Sequence, residues 1–246
     1  MPSPTEKPWV IKRGVRAATS ASGSRTYIIA AITYDPSTVK GDPMCRLRKV
    51  IEEDLGWRAV MPCLAGCGSL LRYSVLDSIE LSDAGVRCPG CNSAATGYLR
   101  FNTRGQYGIF FQEAVLLAAM VVADKTESFI GSAVALAHTA LEIFLLDIVE
   151  FQRQERKLDK EIDLARANVV TYRDWLKDTE IISAEQAKAL KNLEAVSGWR
   201  NDFMHRGRGA DVERAIVSCE DIAKIFNELS HLLPAGDPCL GELEEV

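Results

Sequence analysis

The sequence predicts an α+β protein, with a small β-rich region at the N-terminus and a bundle of about five helices at the C-terminus. Short β-branched and alternating apolar segments occupy the first part, whereas glycine becomes sparse and the apolar spacing becomes helical from Ile109 onward. The charge changes at the same place: residues 1–108 carry 14 Lys and Arg against 9 Asp and Glu, and residues 109–246 carry 15 against 25. We therefore expect an N-terminal region over 1–108, a helical bundle over 109–235 and an acidic tail over 236–246.

Composition favours a soluble globular protein. A hydrophobic content of 47% with 26% charged residues is ordinary for that class. The most apolar run, residues 128–151, has the length of a membrane span, but it contains His138, Glu142, Asp147 and Glu150, which are costly in hydrocarbon. No secretory signal precedes it. We therefore predict an interior helix, no membrane association and a cytoplasmic location. The basic N-terminal half can meet phosphate, although ordinary surface variation explains the same asymmetry.

In the N-terminal region, residue types and apolar spacing predict only a few strands and helices outside the cysteine-containing segment. Residues 1–24 are rich in Pro, Ser, Gly and Ala and predict a segment that is loose at least in part. The β-branched, apolar segment Arg25–Tyr34 predicts one strand, and residues 98–101 predict another. Between them, Arg46–Leu55 places its apolar residues on one face and predicts a short amphipathic helix.

Four of the seven cysteines form two close pairs, Cys63-x3-Cys67 and Cys88-x2-Cys91. Each pair can supply two thiolates from one tight turn, and four thiolates satisfy the tetrahedral preference of zinc. Apolar residues alternate between the pairs, as in a strand pair. The sequence therefore predicts a zinc ribbon over 63–91 with one structural zinc, and four free thiols are the alternative. With four protein ligands the metal has no open position for catalysis.

The surroundings of the ribbon leave its role open. Arginines and aromatic residues lie in or near it, a combination that can contact phosphates and stack on bases. A ribbon that only packs on the bundle is the alternative. The remaining three cysteines are scattered, which is typical of a reducing compartment.

Apolar periodicity predicts five helices in the C-terminal part. Ser183 and Gln186 form a capping box at the start of the fourth helix, Asp211 is a suitable N-cap for the fifth, and Pro234 ends it. The predicted ranges are 110–123, 128–156, 160–177, 184–205 and 212–232.

The fourth predicted helix ends in a group of residues suited to phosphate chemistry: Arg200, Asn201 and His205. Histidine can exchange a proton near neutral pH, and arginine presents a permanent charge in a planar fork that matches phosphate. Together they suit cleavage of RNA through the ribose 2′-OH, with His205 as general acid or base and Arg200 stabilising charge on the phosphate. Asn201 can orient the imidazole or bind a phosphate oxygen.

Structural roles for the same residues remain open. Arg200 can pair with a carboxylate such as Glu142 or Asp202, and His205 can cap carbonyls at the helix end. Glu142 can instead support the catalytic group, or it can form a buried polar pair with His138. Arg206 and Arg208 either guide RNA or belong to a solvated loop.

The order of elements around this group resembles the HEPN superfamily, whose signature is R-x4–6-H with a polar residue after the Arg. The resemblance covers about half of the chain and includes a long apolar helix, a helix pair, the motif, a Gly-containing loop and a final amphipathic helix. These features are carried by Ala140-Leu141-Glu142, Arg200-Asn201-x-x-x-His205 and Arg206-Gly207-Arg208-Gly209.

The resemblance implies a metal-independent endoribonuclease that acts as a homodimer, because each chain holds one motif and members pair two. It also implies a prokaryotic defence or toxin system, with an antitoxin or another regulatory partner. The principal alternative is a non-catalytic adaptor that binds nucleic acid or protein through the ribbon and dimerises through the bundle.

Overall fold

The computed structural model describes most of the C-terminal part of the chain and short stretches of the N-terminal part. The described residues are 9–10, 16–19, 25–28, 33–34, 42–51, 55, 59–62, 67, 70–73, 91, 105–124, 129–208 and 210–234. The chain divides into two compact units, one formed by residues 1–102 with 240–246 and the other by residues 103–239.

The described strands of the first unit form two sheets. They are β1 (Trp9–Val10), β2 (Arg16–Thr19), β3 (Arg25–Ile28), β4 (Thr33–Tyr34), β5 (Ala59–Pro62) and β6 (Leu70–Tyr73). One sheet pairs β1 with β4, and the other has the order β2-β3-β6-β5, in which only the β3–β6 pair is parallel. Strands β5 and β6 pair antiparallel with Pro62 opposite Leu70, so residues 63–69 connect neighbouring strands.

One prediction for this unit is wrong. The segment predicted as one strand contains β3 and β4, which belong to different sheets. The segment predicted to be loose at least in part contains β1 and β2, and its other residues lie outside the described ones. The predicted strand over 98–101 lies outside the described residues.

The predicted short helix is present with shifted bounds. Helix α1 runs over Pro43–Lys49, three residues before the predicted start, because Asp42 caps the amide of Cys45 (3.0 Å) and Pro43 suits the first turn. Val50 and Ile51 continue it as one wider turn, and both are fully buried together with Leu47. The amphipathic face was therefore predicted correctly, although the helix ends before Leu55.

The second unit is a helical bundle, as predicted. Its helices are α2 (Gly105–Asp124), α3 (Ile130–Glu155), α4 (Val169–Asp178), α5 (Ala184–Asn192), α6 (Glu194–Arg206) and α7 (Val212–Leu229), followed by a 3-10 turn at Ser230–Leu232. The 26-residue helix α3 is central and contacts α2, α4, α6 and α7.

The bundle core is aromatic where α2, α3 and α7 meet. The rings of Phe144 and Phe226 lie 4.5 Å apart between centroids, and Tyr107 and Phe111 each pack edge-on against Phe226 at 5.1 Å. Such tilted pairs are favourable beyond the area that they bury. Near the C-terminal end of α3 the buried Gln152 amide donates to the carbonyl of Leu232 (2.7 Å), which connects the last turn of the bundle to the central helix.

Three predicted helices differ clearly from the observed ones, and the first of them begins at Gly105 instead of 110. The third begins at Val169 instead of 160, because the Asn168 side chain accepts from the amides of Val170 and Thr171 and thereby caps the helix there. The fourth is divided into α5 and α6 at the buried Leu193, whose amide bonds to the carbonyl of Leu190 three residues before it. This tighter turn interrupts the α-helical ladder.

Helices α2 and α3 are both long and apolar enough to cross a membrane by length and composition. The interior helix of a soluble bundle meets the same two criteria. In the described part of the bundle, more than half of the apolar stretch of each helix is buried against protein.

Candidate functional site at the end of helix α6

Helix α6 carries all three residues of the predicted catalytic group in its last two turns. The helix ends at Gly207, which adopts the left-handed conformation (φ 63°) and whose amide bonds to the carbonyl of Phe203 (2.9 Å). Arg200 is half-buried, whereas Asn201 and His205 are exposed. Within the described part of the chain, no hydrogen bond or ion pair involves the His205 side chain, so His205 does not cap this helix end.

The Arg200 guanidinium turns toward the face of the helix that carries His205. Arg200 and His205 are about 140° apart around an ideal helix, but Asn201 and His205 are only about 40° apart. Nη1 of Arg200 donates to Oδ1 of Asn201 at 2.9 Å. The side-chain oxygen of Asn201 therefore accepts a hydrogen bond from Arg200. From the sequence we expected Asn201 to orient the imidazole or to bind a phosphate oxygen, and we did not predict this contact with Arg200.

A buried polar cluster joins α3 to α6 one turn before the motif. His138 on α3 is 4% exposed, and its Nε2 lies 2.8 Å from Oγ of Ser197 on α6. Its Nδ1 faces Oε2 of Glu142 at 3.6 Å, slightly beyond hydrogen-bond distance. The cluster of Glu142, His138 and Ser197 thus fixes the middle of α6 against the central helix, and Ser197 shares a face with Arg200 three residues later.

Glu142 connects this buried cluster to the motif electrostatically. Burial of its carboxyl raises its pKa, but the contact and the electrostatic interaction with His138, together with the charge of Arg200, lower it more, so the net pKa lies below the usual value. On the neighbouring helix α4, burial and the charges of Glu142 and Glu150 raise the pKa of Tyr172. Glu142 therefore lies near both Arg200 and His138. The sequence offered two roles for Glu142, support of the catalytic group and a polar pair with His138, and this position is compatible with both.

The basic residues after the motif differ in their surroundings. Arg206 is exposed and pairs with Asp202 one turn earlier (3.0 Å), so its charge is partly compensated. Arg208 is also exposed, and the described residues offer its side chain no ion pair. Arg214, at the start of α7, lies 5.6 Å over the ring of Trp199 and so connects α7 to α6.

Phe203 and Gly131 form a close contact that sequence reasoning missed. A Cβ atom added to Gly131 would overlap the ring of Phe203, so only glycine allows the start of α3 to approach α6 this closely. Helical periodicity can place Phe203 on the core side of its helix, but it cannot identify a partner 72 positions away in the chain. Ser197 was missed for the same reason, since its contact with His138 spans 59 residues.

Two of the four predicted zinc ligands lie among the described residues. Cys67 and Cys91 are exposed, whereas Cys63 and Cys88 fall outside the described residues. Cys63 and Cys67 both belong to the connection between the paired strands β5 and β6. Within the described ranges, no three His, Cys, Asp or Glu side chains form a group able to hold a metal ion.

No family model, curated protein or solved structure matches this chain. The HEPN resemblance therefore depends on the motif residues and on the order of the helices around them.

Proposed function

We propose that this protein is a metal-independent endoribonuclease of the HEPN type, which acts as a homodimer. The observation that carries the proposal is the state of the motif on α6. His205 is exposed and without a partner in the described chain, and the Arg200 guanidinium bonds to Asn201 on the same side. A histidine and an arginine with only a structural role would make side-chain contacts within the bundle, as His138 does.

The reaction follows from the chemistry of these groups. The ribose 2′-oxygen attacks the adjacent phosphorus, a P–O2′ bond forms and the P–O5′ bond breaks. One imidazole takes the 2′-OH proton, and a second, protonated imidazole gives a proton to the leaving 5′-oxygen. The Arg200 guanidinium stabilises the charge that develops on the phosphate oxygens, and Asn201 holds that guanidinium in place. The products are a 2′,3′-cyclic phosphate and a 5′-hydroxyl.

Two imidazoles at one phosphate require two chains, because each chain has one motif. Gly198, Asn201 and His205 share an exposed face of α6 at spacings of three and four residues. Next to this face the side chain of Met204 is apolar and 56% exposed. A symmetric pair of chains that meet along this face would bring both copies of His205 near the two-fold axis.

The N-terminal unit supplies a zinc ribbon in this proposal. Cys63, Cys67, Cys88 and Cys91 would hold one zinc ion, and the connection between β5 and β6 fits this role because it contains the first pair. The metal would stabilise a module that is too small for a core of its own. We infer that the ribbon recognises RNA or a regulatory partner, in a cytoplasmic defence or toxin system.

The test is cleavage of a 5′-labelled RNA by the wild-type protein and by two variants, Arg200→Ala and His205→Ala. We expect cleavage without added magnesium and in the presence of EDTA, product ends that carry a 2′,3′-cyclic phosphate, and loss of cleavage in both variants. Thermal unfolding in the same EDTA buffer shows whether the ribbon keeps its fold. Strict dependence on magnesium contradicts the proposal.

The second candidate is a non-catalytic adaptor that binds nucleic acid or protein. The acidic character of the helical part favours it, since 25 Asp and Glu oppose 15 Lys and Arg over residues 109–246. Such a surface repels a polyanion unless a local basic patch offsets it. If the wild-type protein and both variants bind RNA equally and none cleaves it, the adaptor is correct.

A further inference from the structure

One side of the central helix α3 carries apolar residues that the rest of the chain leaves partly uncovered. Residues 130–141 of this helix contain no Asp, Glu, Lys or Arg. On the outer side of the helix, five residues at helical spacing are partly exposed, and we call them the α3 stripe: Ser132, Ala135, Leu136, Thr139 and Ile143. The hydroxyl of Thr139 donates to the carbonyl of Ala135 (2.9 Å), so this polar group is satisfied within the helix. The stripe is therefore mostly apolar, and its removal from water is favourable.

The α3 stripe begins beside the motif on α6. His138 marks the side of α3 that contacts α6, because its Nε2 lies 2.8 Å from Oγ of Ser197. Around an ideal helix, Glu142 lies about 40° from His138, and Ala135 lies about 60° from it in the same direction. The charge of Arg200 acts on Glu142, which places the Arg200 guanidinium near this edge of α3. The stripe and the motif therefore belong to one continuous surface.

The charge of the bundle indicates what can cover this stripe. Residues 109–246 carry 25 Asp and Glu against 15 Lys and Arg, so two copies of the bundle repel each other in most orientations. A symmetric pair brings the same patch of both chains together, and a patch without charges is one that two acidic copies can share. A polyanion such as RNA finds no cation among the five residues of the stripe. A second copy of this chain is thus the partner that this surface favours.

The area of such a contact has to come from two helices. A stable interface buries about 800 Å² on each partner, which is more than a stripe along half of one helix offers. The exposed side of α6 adjoins the stripe, and there Met204 is apolar and 56% exposed. We propose that the α3 stripe packs against the same stripe of a second chain, with α6 completing the contact on each side of the two-fold axis. This inference rests on the proposed ribonuclease function, which needs two copies of His205 at one phosphate.

Sedimentation equilibrium of the full-length protein over a series of concentrations tests this contact without RNA. We expect the wild-type protein to dimerise and Leu136→Glu to have a dimer dissociation constant at least about 100-fold higher, because each chain would bury an added carboxylate close to that of its partner. The control Gln154→Glu adds the same charge at an exposed position of the same helix outside the stripe, and it should dimerise like the wild type. Leu136→Glu should also lose RNA cleavage in proportion to its loss of dimer.

The outcomes separate the α3 contact from the ribonuclease proposal. A wild-type protein that is monomeric at every concentration overturns the contact, and so does equal dimerisation by Leu136→Glu and Gln154→Glu, even if RNA is cleaved. A dimer that Leu136→Glu disrupts and Gln154→Glu preserves supports the contact even if the wild-type protein cleaves nothing. Thermal unfolding of each variant checks that the fold is kept, and Thr139→Lys replaces Leu136→Glu if that variant fails to fold.

Discussion

Helices α3 and α6 present two histidines in contrasting regions of the bundle. His138 lies in the buried cluster with Glu142 and Ser197, and it is 4% exposed. His205 lies two turns further along α6, exposed and without a partner in the described chain. A histidine side chain is thus buried in contacts in one region and accessible to solvent in the other.

The contrast separates stability from function. A buried polar group is costly unless it is bonded, so His138 and Ser197 depend on each other and hold α6 on α3. The accessible group contributes little to folding, because surface substitutions away from caps and packed sites change stability only slightly. We infer that the buried cluster positions α6 and that the exposed end of α6 carries the chemistry.

The largest expected effect is a crossed pair of substitutions. His205→Ala should lower RNA cleavage by about 10²- to 10⁴-fold, the usual contribution of a general acid or base, with almost no change in stability. His138→Ala should instead lower the free energy of unfolding by about 2–4 kcal/mol, because it opens a cavity and leaves Ser197 unpaired. Urea unfolding and initial cleavage rates measure the two effects.

The contrast would fail if both variants lost RNA cleavage. If His138→Ala abolished cleavage at a temperature where it is fully folded, the buried histidine would act in the reaction too, either through the position of α6 or through its own imidazole. Ser197→Ala is the matched control, because it removes the same hydrogen bond without removing the imidazole. It should lower stability by about 1–3 kcal/mol and leave cleavage by the folded protein near the wild-type rate.

A second prediction concerns the close approach of α3 and α6. Gly131→Ala places a Cβ where the Phe203 ring lies, and it should destabilise the protein by about 1–3 kcal/mol through overpacking. Phe203→Leu in the same chain should relieve part of this cost, which a double-mutant cycle of unfolding free energies detects. Purely additive effects would mean that the two residues do not meet.

Local sequence signals predicted the parts of the fold that depend on neighbours in the chain. The capping box of Ser183 and Gln186 is confirmed, and so is the N-cap of Asp211. The start of the third predicted helix was wrong because Asn168, an equally good cap, was overlooked within a pattern that looked continuous. This error concerns the capping hydrogen bonds that set where the helix begins, and not whether the helix exists.

The candidate site was predicted less completely, because part of it depends on distant contacts. Motif spacing identified Arg200, Asn201 and His205, but it could not show which side the Arg200 side chain takes. That choice is a single hydrogen bond to Asn201. The contact between His138 and Ser197 joins residues 59 positions apart, and helical periodicity contains no information about it.

A third prediction uses pH to sharpen the electrostatic link between the two regions. The pKa of Glu142 is lowered in the folded protein, so its ionised form stabilises the fold above its usual pKa, and this contribution is lost as the pH falls through the lowered value. Wild type should therefore exceed Glu142→Gln in stability by about 1 kcal/mol near pH 7, and the difference should shrink below about pH 4. A difference that grows on acidification contradicts this sign. Urea unfolding of both proteins across this range gives the measurement.

The smallest effect should come from Gly198, on the exposed side of α6. A Cβ added there meets nothing within 4 Å in the described chain. Because alanine favours a helix over glycine, Gly198→Ala should raise the free energy of unfolding of the single chain by about 0.5–1 kcal/mol. If a second chain packs against this face, the added methyl group should also weaken dimerisation, measured by sedimentation equilibrium. Ala195→Gly, at another exposed position of α6, is the control for helix propensity alone. A more stable Gly198→Ala protein with unchanged dimerisation and cleavage would remove this face of α6 from the proposed dimer contact.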